Sequence, residues 1–215
     1  MPDIDFAQVF LFFLILVFSL TVHEAAHAWT ADRLGDATAR FLGRVSLNPA
    51  VHIDVIGTIV FPLIAITTNL PIIGWAKPVP VDILKLGDNW RRKFMAIAAA
   101  GPASNLIIAA VAAVLLRLVQ PGNLDPNGAI DVGTPVATLL VAAVRLNVLL
   151  AVFNMIPVPP LDGGNVLSGL LRGDLANLFD RIRPYGFLIL YVMLFTDTLF
   201  AIITPPANFL FSWLL

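Results

Sequence analysis

Long uncharged runs alternate with short segments that hold most of the Lys, Arg and Asp residues of this 215-residue chain. Four of the runs predict helices able to span a bilayer: about Phe6 to Ala31, Phe94 to Val119, Thr134 to Phe153 and Tyr185 to Ile203. At about 1.5 Å of rise per residue, each approaches the ~30 Å hydrocarbon layer. A fifth run, Val55 to Thr68, is apolar but only fourteen residues long, and it contains Gly57 and Pro62. Arg33, Arg40 and Arg44 precede it, and Lys77, Lys85, Arg91, Arg92 and Lys93 follow it. Cytoplasmic loops collect Lys and Arg, so both flanks are expected on the cytoplasmic side. Asn48 to Val81 is therefore expected to dip into the membrane and return, its irregular backbone buried in protein or facing a wet cavity. A full crossing is the alternative for the same stretch. Gln120 to Gly133 lacks Lys and Arg and is expected outside, whereas Arg172, Arg181 and Arg183 place the segment after the third span inside. The N-terminus then lies outside, and residues near position 23 lie close to the cytoplasmic face.

Composition sharpens the class. Hydrophobic residues make up 59% of the chain and charged residues 13%, against about 25% charged in soluble domains. The expected fold is an all-α polytopic membrane protein of about four to six transmembrane helices. It forms a single domain over residues 1–215, with a core at about 6–170 and a C-terminal helical segment at about 174–215. The polar stretches are too short to form a separate soluble domain. Met1 to Asp5 lacks a basic n-region, so the first run is not expected to be a cleaved signal peptide. A net charge of −1 without a basic patch gives no nucleic-acid partner. The absence of cysteine excludes disulfides and thiolate ligands, which leaves nitrogen and oxygen donors for any metal.

The candidate chemistry sits at the inner end of the first run. Glu24 is the only glutamate in the chain, and it lies within His23-Glu24-Ala25-Ala26-His27. Histidines four apart share one face of a helix, so both imidazoles can ligate one metal ion, and the carboxylate beside the first can act on metal-bound water. A zinc site needs a third protein ligand. Arg33 occupies the place of a third histidine in the extended motif, which leaves His52 and the aspartates as candidates. Asp162 is the best placed of these. It follows Asn154-Met155-Ile156-Pro157-Val158-Pro159-Pro160-Leu161, at the cytoplasmic end of the third span and thus at the depth of the histidines. Its prolines break the helix, and Gly163-Gly164 permits backbone geometries that turn a short carboxylate inward.

These segments resemble the site-2 proteases, the intramembrane zinc metalloproteases. The matching residues are His23 to His27, the turn Ala100-Gly101-Pro102-Ala103-Ser104-Asn105, and Leu161-Asp162-Gly163-Gly164. Leu47 to Asp54 and Gly74 to Val81 are similar to the compact bacterial and archaeal members, without a PDZ or nucleotide-sensing domain. The resemblance implies one Zn2+ per chain held by His23, His27 and Asp162, with Glu24 as catalytic base. It also implies that the substrate is a transmembrane segment of another protein in the lipid bilayer, and that a partly β element lies between the first two core helices. Gly74, Trp75 and Ala76, within Pro71 to Val81, are candidates for a strand edge that pairs with an unwound substrate. Asn105 or Asn154 is a candidate to bind a substrate carbonyl. His52 is a candidate for substrate binding or gating, against a plain interfacial role. Gly101 is expected to serve close helix packing, and Arg145 to pair with backbone or snorkel outward.

Other classes of protein fit less well. A metal transporter would offer a poor path with three histidines and one glutamate, and a di-metal oxygenase needs more histidines. A catalytically silent scaffold gives no reason for Glu24 beside two ligands.

Overall fold

A computed structural model describes residues 6–68, 74–119 and 135–215. Three helices are long and apolar enough to cross a membrane: α1 (Phe6–Arg33), α4 (Trp90–Val119) and α5 (Pro135–Asn154). Between α1 and α4 lie two shorter helices, α2 (Thr38–Phe41) and α3 (Phe61–Thr68). After α5 come α6 (Asp162–Leu170), α7 (Asp174–Ile182), α8 (Gly186–Phe195) and α9 (Thr198–Leu214). The segment expected outside, Gln120 to Gly133, and the start of the expected strand edge, Pro71 to Ile73, lie outside the described residues.

One expectation is corrected, and a second is not met among the described residues. Tyr185 to Ile203 is not one straight span: the helix breaks at Thr196 and Asp197, where Asp197 takes φ 57°, and the two sides are bent by 81°. The hydrophobicity of the run hid the break, because one left-handed residue costs little and leaves no apolar signature. Second, no strand occurs among the described residues, and 74–82 has no regular secondary structure. Its amides still follow a two-residue rhythm: Trp75 N–H donates to the Gly57 carbonyl at 3.1 Å and Lys77 N–H to the His52 carbonyl at 2.9 Å. The acceptors belong to turns and not to a neighbouring strand, so no ladder forms. Pro78 and Pro80 also lack N–H groups.

The apolar run after Asp54 is helical. Asp54 caps it by accepting from the Ile56 and Gly57 amides at 3.0 and 2.8 Å, and a wide π-helical turn at Val55–Val60 leads into α3. In that turn each amide reaches five residues back, so the donor for Gly57 would come from residue 62. Pro62 has none. The Gly57 carbonyl is thereby free for Trp75, whose indole lies so close that a Cβ at Gly57 would meet it at 2.6 Å.

Small residues let the long helices approach closely. Ala109, Ala112, Ala113 and Leu116 of α4 pack on Ala137, Leu140, Val141, Val144 and Val148 of α5, with Ala207 and Leu214 of α9 closing the cluster. Ile156 and Leu161, in the turn after α5, pack on Leu190, Leu194 and Leu199. That second cluster fixes the entry to α6, and with it the position of Asp162.

Candidate metal centre and active site

His23 and His27 stand one turn apart on α1 and are buried. Their Nε2 atoms are 3.0 Å apart, and Asp162 Oδ2 lies 3.1 Å from the first and 3.3 Å from the second. Asp162 is the first residue of α6, so the proline-rich turn delivers its carboxylate to the two rings from the opposite side of the bundle.

The far side of each ring fixes what these atoms can be. His27 Nδ1 lies 2.7 Å from the Ile97 carbonyl, and His23 Nδ1 lies 2.6 Å from Asn105 Oδ1. Both partners accept, so each Nδ1 carries the proton and each Nε2 presents a lone pair. Three acceptor atoms then face one another, and Asp162 Oδ2 is buried without any hydrogen-bond donor. Such a cluster is repulsive unless a cation lies among its members. The spacing of 3.0–3.3 Å is slightly tighter than that of a metal site, since tetrahedral ligation at about 2.0–2.2 Å puts ligand atoms about 3.3–3.6 Å apart. His23, His27 and Asp162 form the metal-ligating group among the described residues. Two nitrogens and one carboxylate oxygen suit zinc.

Gly101 is the cradle for this cluster. A Cβ there would come within 2.4 Å of His27 Nε2 and 2.5 Å of His23 Nε2. The requirement is more specific than the helix packing expected from the sequence, since the clash falls on the ligating atoms themselves.

Glu24 stands outside the three-donor group and lines the same cavity, a cleft of about 700 Å³. Its Oε2 accepts the Val79 amide at 3.2 Å, and Oε1 meets no donor among the described residues. Asn154 also lines the cleft; its Nδ2 gives one hydrogen to the Leu150 carbonyl at 2.9 Å and keeps a second. Gly74, Trp75 and Ala76 form part of the wall, together with Phe187, Leu190 and Tyr191 of α8, and the Trp75 ring meets the Phe187 ring edge-on at 6.3 Å between centroids.

Asn105 and His52 are placed away from the cleft lining. Asn105 is fully buried behind His23. His52 is 2% exposed, and its Nε2 meets the Ser46 carbonyl at 2.8 Å. Its backbone carbonyl accepts from the Lys77 amide at 2.9 Å. Arg44 donates to the Lys77 carbonyl, so the two residues together tether the segment carrying Val79 to Glu24. Sequence reasoning missed this tether, and it missed Asn147 and Ser19, which complete the network behind Asn105. An asparagine in the middle of the apolar run of α5 was the available signal.

A carboxylate beside a two-histidine, one-aspartate cluster, opening on a cleft among membrane-length helices, defines a membrane-embedded metallohydrolase. Comparison with known proteins gives the same class. The sequence model of peptidase family M50 matches residues 125–196, which include Asn154 and Asp162. The chain is 32% identical over 193 residues to a Bacillus subtilis protein provisionally named zinc metalloprotease YwhC, covering 90% of this chain and 84% of that one. It is also 32% identical over 183 residues to a Mycolicibacterium smegmatis protein provisionally named zinc metalloprotease Rip2, covering 84% of this chain and 65% of that one. The Mycobacterium tuberculosis protein of the same name is 28% identical over 181 residues, with the same coverages. The chain thus spans just under two thirds of the mycobacterial relatives. No solved structure matches. The chain belongs to peptidase family M50, the site-2 proteases.

Proposed function

We propose that this protein is a zinc-dependent intramembrane endopeptidase, with its active site towards the cytoplasm and a transmembrane segment of another membrane protein as substrate. Membership of a zinc metalloprotease family supports the activity. The observation that carries the reading of the site is the convergence of three lone-pair donors beside Glu24 in one cleft.

His23, His27 and Asp162 would hold the zinc ion. A bound zinc ion supplies Lewis acidity to a peptide carbonyl and acidifies water at neutral pH. Glu24 Oε1 accepts the proton of the attacking water as the new C–O bond forms. The same oxygen passes the proton to the amide nitrogen as the C–N bond breaks, giving a carboxylic acid and an amine. The Val79 amide on Oε2 keeps the carboxylate turned so that Oε1 is the oxygen that moves protons. The second Nδ2 hydrogen of Asn154 is available to a developing negative charge on the substrate oxygen.

A helical substrate must unwind locally before its carbonyls can be reached, and freed backbone groups need partners inside the membrane. The wall at 74–81 supplies them. Residues 75, 77 and 79 spend their amides on the protein itself. Ala76 offers an N–H, while Pro78 and Pro80 offer carbonyls alone. The expected β character would then arise when a substrate pairs with this edge. The short apolar helical stretch beneath it, Val55–Val60 running into α3, is about 20 Å long and supports a re-entrant element, since a crossing needs ~30 Å.

The test is cleavage of a panel of transmembrane-segment fusions by protein reconstituted in liposomes, alongside soluble peptides carrying the same sequences. Cuts within or near the membrane segment, lost on chelation and restored by zinc, are expected. Zinc-dependent cutting of the soluble peptides alone would remove the intramembrane reading.

A further inference from the structure

Behind His23 lies a chain of side-chain amides that the reaction itself does not use. Asn105 Oδ1 faces His23 Nδ1 at 2.6 Å, and Asn105 Nδ2 donates to Asn147 Oδ1 at 2.8 Å. Asn147 Nδ2 donates to the Ala143 backbone carbonyl and to Ser19 Oγ, each at 2.9 Å. Asn105, Asn147 and Ser19 are all fully buried, and they come from three different helices, α4, α5 and α1.

An asparagine amide can turn over, exchanging donor for acceptor, and that freedom matters here. A reversed Asn105 would present N–H groups to His23 Nδ1. The imidazole proton would then move to Nε2, the atom that faces His27 and Asp162, and the lone pair needed there would be lost. The direction of the network is set at its far end. A backbone carbonyl only accepts, so the Asn147 atom beside Ala143 must be nitrogen, and the atom beside Asn105 must be oxygen. Asn105 must then turn its nitrogen to Asn147 and its oxygen to His23. The Ser19 hydroxyl does not set the direction, because a hydroxyl can donate or accept; the Ser19 backbone carbonyl, 3.5 Å from Asn105 Nδ2, favours the same orientation at the outer limit of a hydrogen bond, against 2.8 Å for the bond to Asn147. His27 reaches the same state in one step, through the Ile97 carbonyl.

We propose that Asn147 is a positioning residue for the metal site: by fixing the direction of the Asn105 amide, it holds His23 in the tautomer whose Nε2 is free to bind zinc. The proposal rests on the reading of His23 and His27 as zinc ligands. It gives Asn105 a place behind the metal, in contrast to the substrate contact considered from sequence.

The test is zinc affinity of the full chain in detergent, measured by competition with a chelator. Asn147→Leu keeps the branched shape, removes all three hydrogen bonds of the amide, and is expected to weaken zinc about 10- to 100-fold, the usual cost of losing a partner behind a ligand. In an Asn105→Asp background the same change is expected to cost less than about threefold, because a carboxylate accepts from His23 Nδ1 in either orientation. Ser19→Ala is expected to stay within about threefold of the unaltered chain. Asn147→Ala replaces Asn147→Leu if the larger side chain disturbs packing. Equal losses of affinity with and without Asn105→Asp would mean that Asn147 acts through packing alone, and no loss in the unaltered background would also overturn the proposal. If the unaltered chain binds zinc no more tightly than His23→Ala, it is the ligand reading that fails instead.

Discussion

At the scale of single residues, chemistry and packing meet at Gly101. Its missing side chain leaves the space in which two imidazoles converge, and a Cβ would come within 2.4 Å of a ligating nitrogen. Gly101→Ala is therefore expected to lower zinc content well below one per chain, while leaving the helix content of the protein unchanged; metal analysis beside circular dichroism checks both. Glu24→Gln should separate binding from chemistry. The amide keeps the volume and cannot take up the proton, so zinc content should stay at one per chain while kcat falls by about 10²- to 10⁴-fold. His23, Glu24 and His27 were legible in the sequence because spacing on a helix dictates a shared face. Asp162 was legible from depth and from the prolines before it. The place of Asn105 was not, since nothing in a linear sequence distinguishes an asparagine aimed at a substrate from one buried behind a ligand.

At the scale of elements, the active site depends on a segment with no regular structure of its own. Residues 74–82 are held from outside, by Arg44 and His52 at Lys77 and by Asp36 at Asp82. Burial opposes ionisation of Asp36, but hydrogen bonds from the Thr38 hydroxyl and from the Asp82 and Thr38 amides outweigh it and hold the carboxyl below its ordinary value. Its folded-state value lies below its unfolded one, so its contribution to stability is full above about pH 4 and is lost as the pH falls through the depressed value. Hydrogen exchange at the Asp82 amide should accordingly speed up, relative to the rest of the fold, as the pH drops below 4. Asp36→Asn should give comparable loosening at neutral pH, with a loss of about 1–3 kcal/mol from the missing charge-assisted bonds. An amide unchanged by either treatment would show that the tether lies elsewhere. This organisation was half legible. The sequence pointed to an irregular, membrane-dipping stretch, but the partners of its amides are two carbonyls and two carboxylates, and such pairings carry no periodic signature. Proline acts the same way in both halves of the element: Pro62 frees the Gly57 carbonyl, and Pro78 and Pro80 keep 74–82 from completing a ladder.

At the scale of the whole molecule, three long helices and a bent pair surround a cleft that carries the site. The approximate limits of the three long helices were readable from apolar run length, because bilayer thickness sets that length. The 81° break between α8 and α9 was not, since both sides of it are equally apolar. The proposed orientation rests on the distribution of Lys and Arg, and the chain lacks cysteine, so single cysteines report it without interference. Lys85→Cys is expected to react with a membrane-impermeant maleimide in inside-out vesicles and to stay unlabelled in right-side-out ones. The opposite pattern would invert the proposed topology and place the cleft on the outer face.

The most direct measurement is turnover of a membrane-spanning fusion in liposomes by the unaltered chain and by Glu24→Gln, each loaded with zinc to one ion per chain. Cleavage by the first and its near loss in the second, at equal zinc content, is the predicted result. Equal cleavage by both would contradict the assignment of Glu24 as the residue that moves the proton.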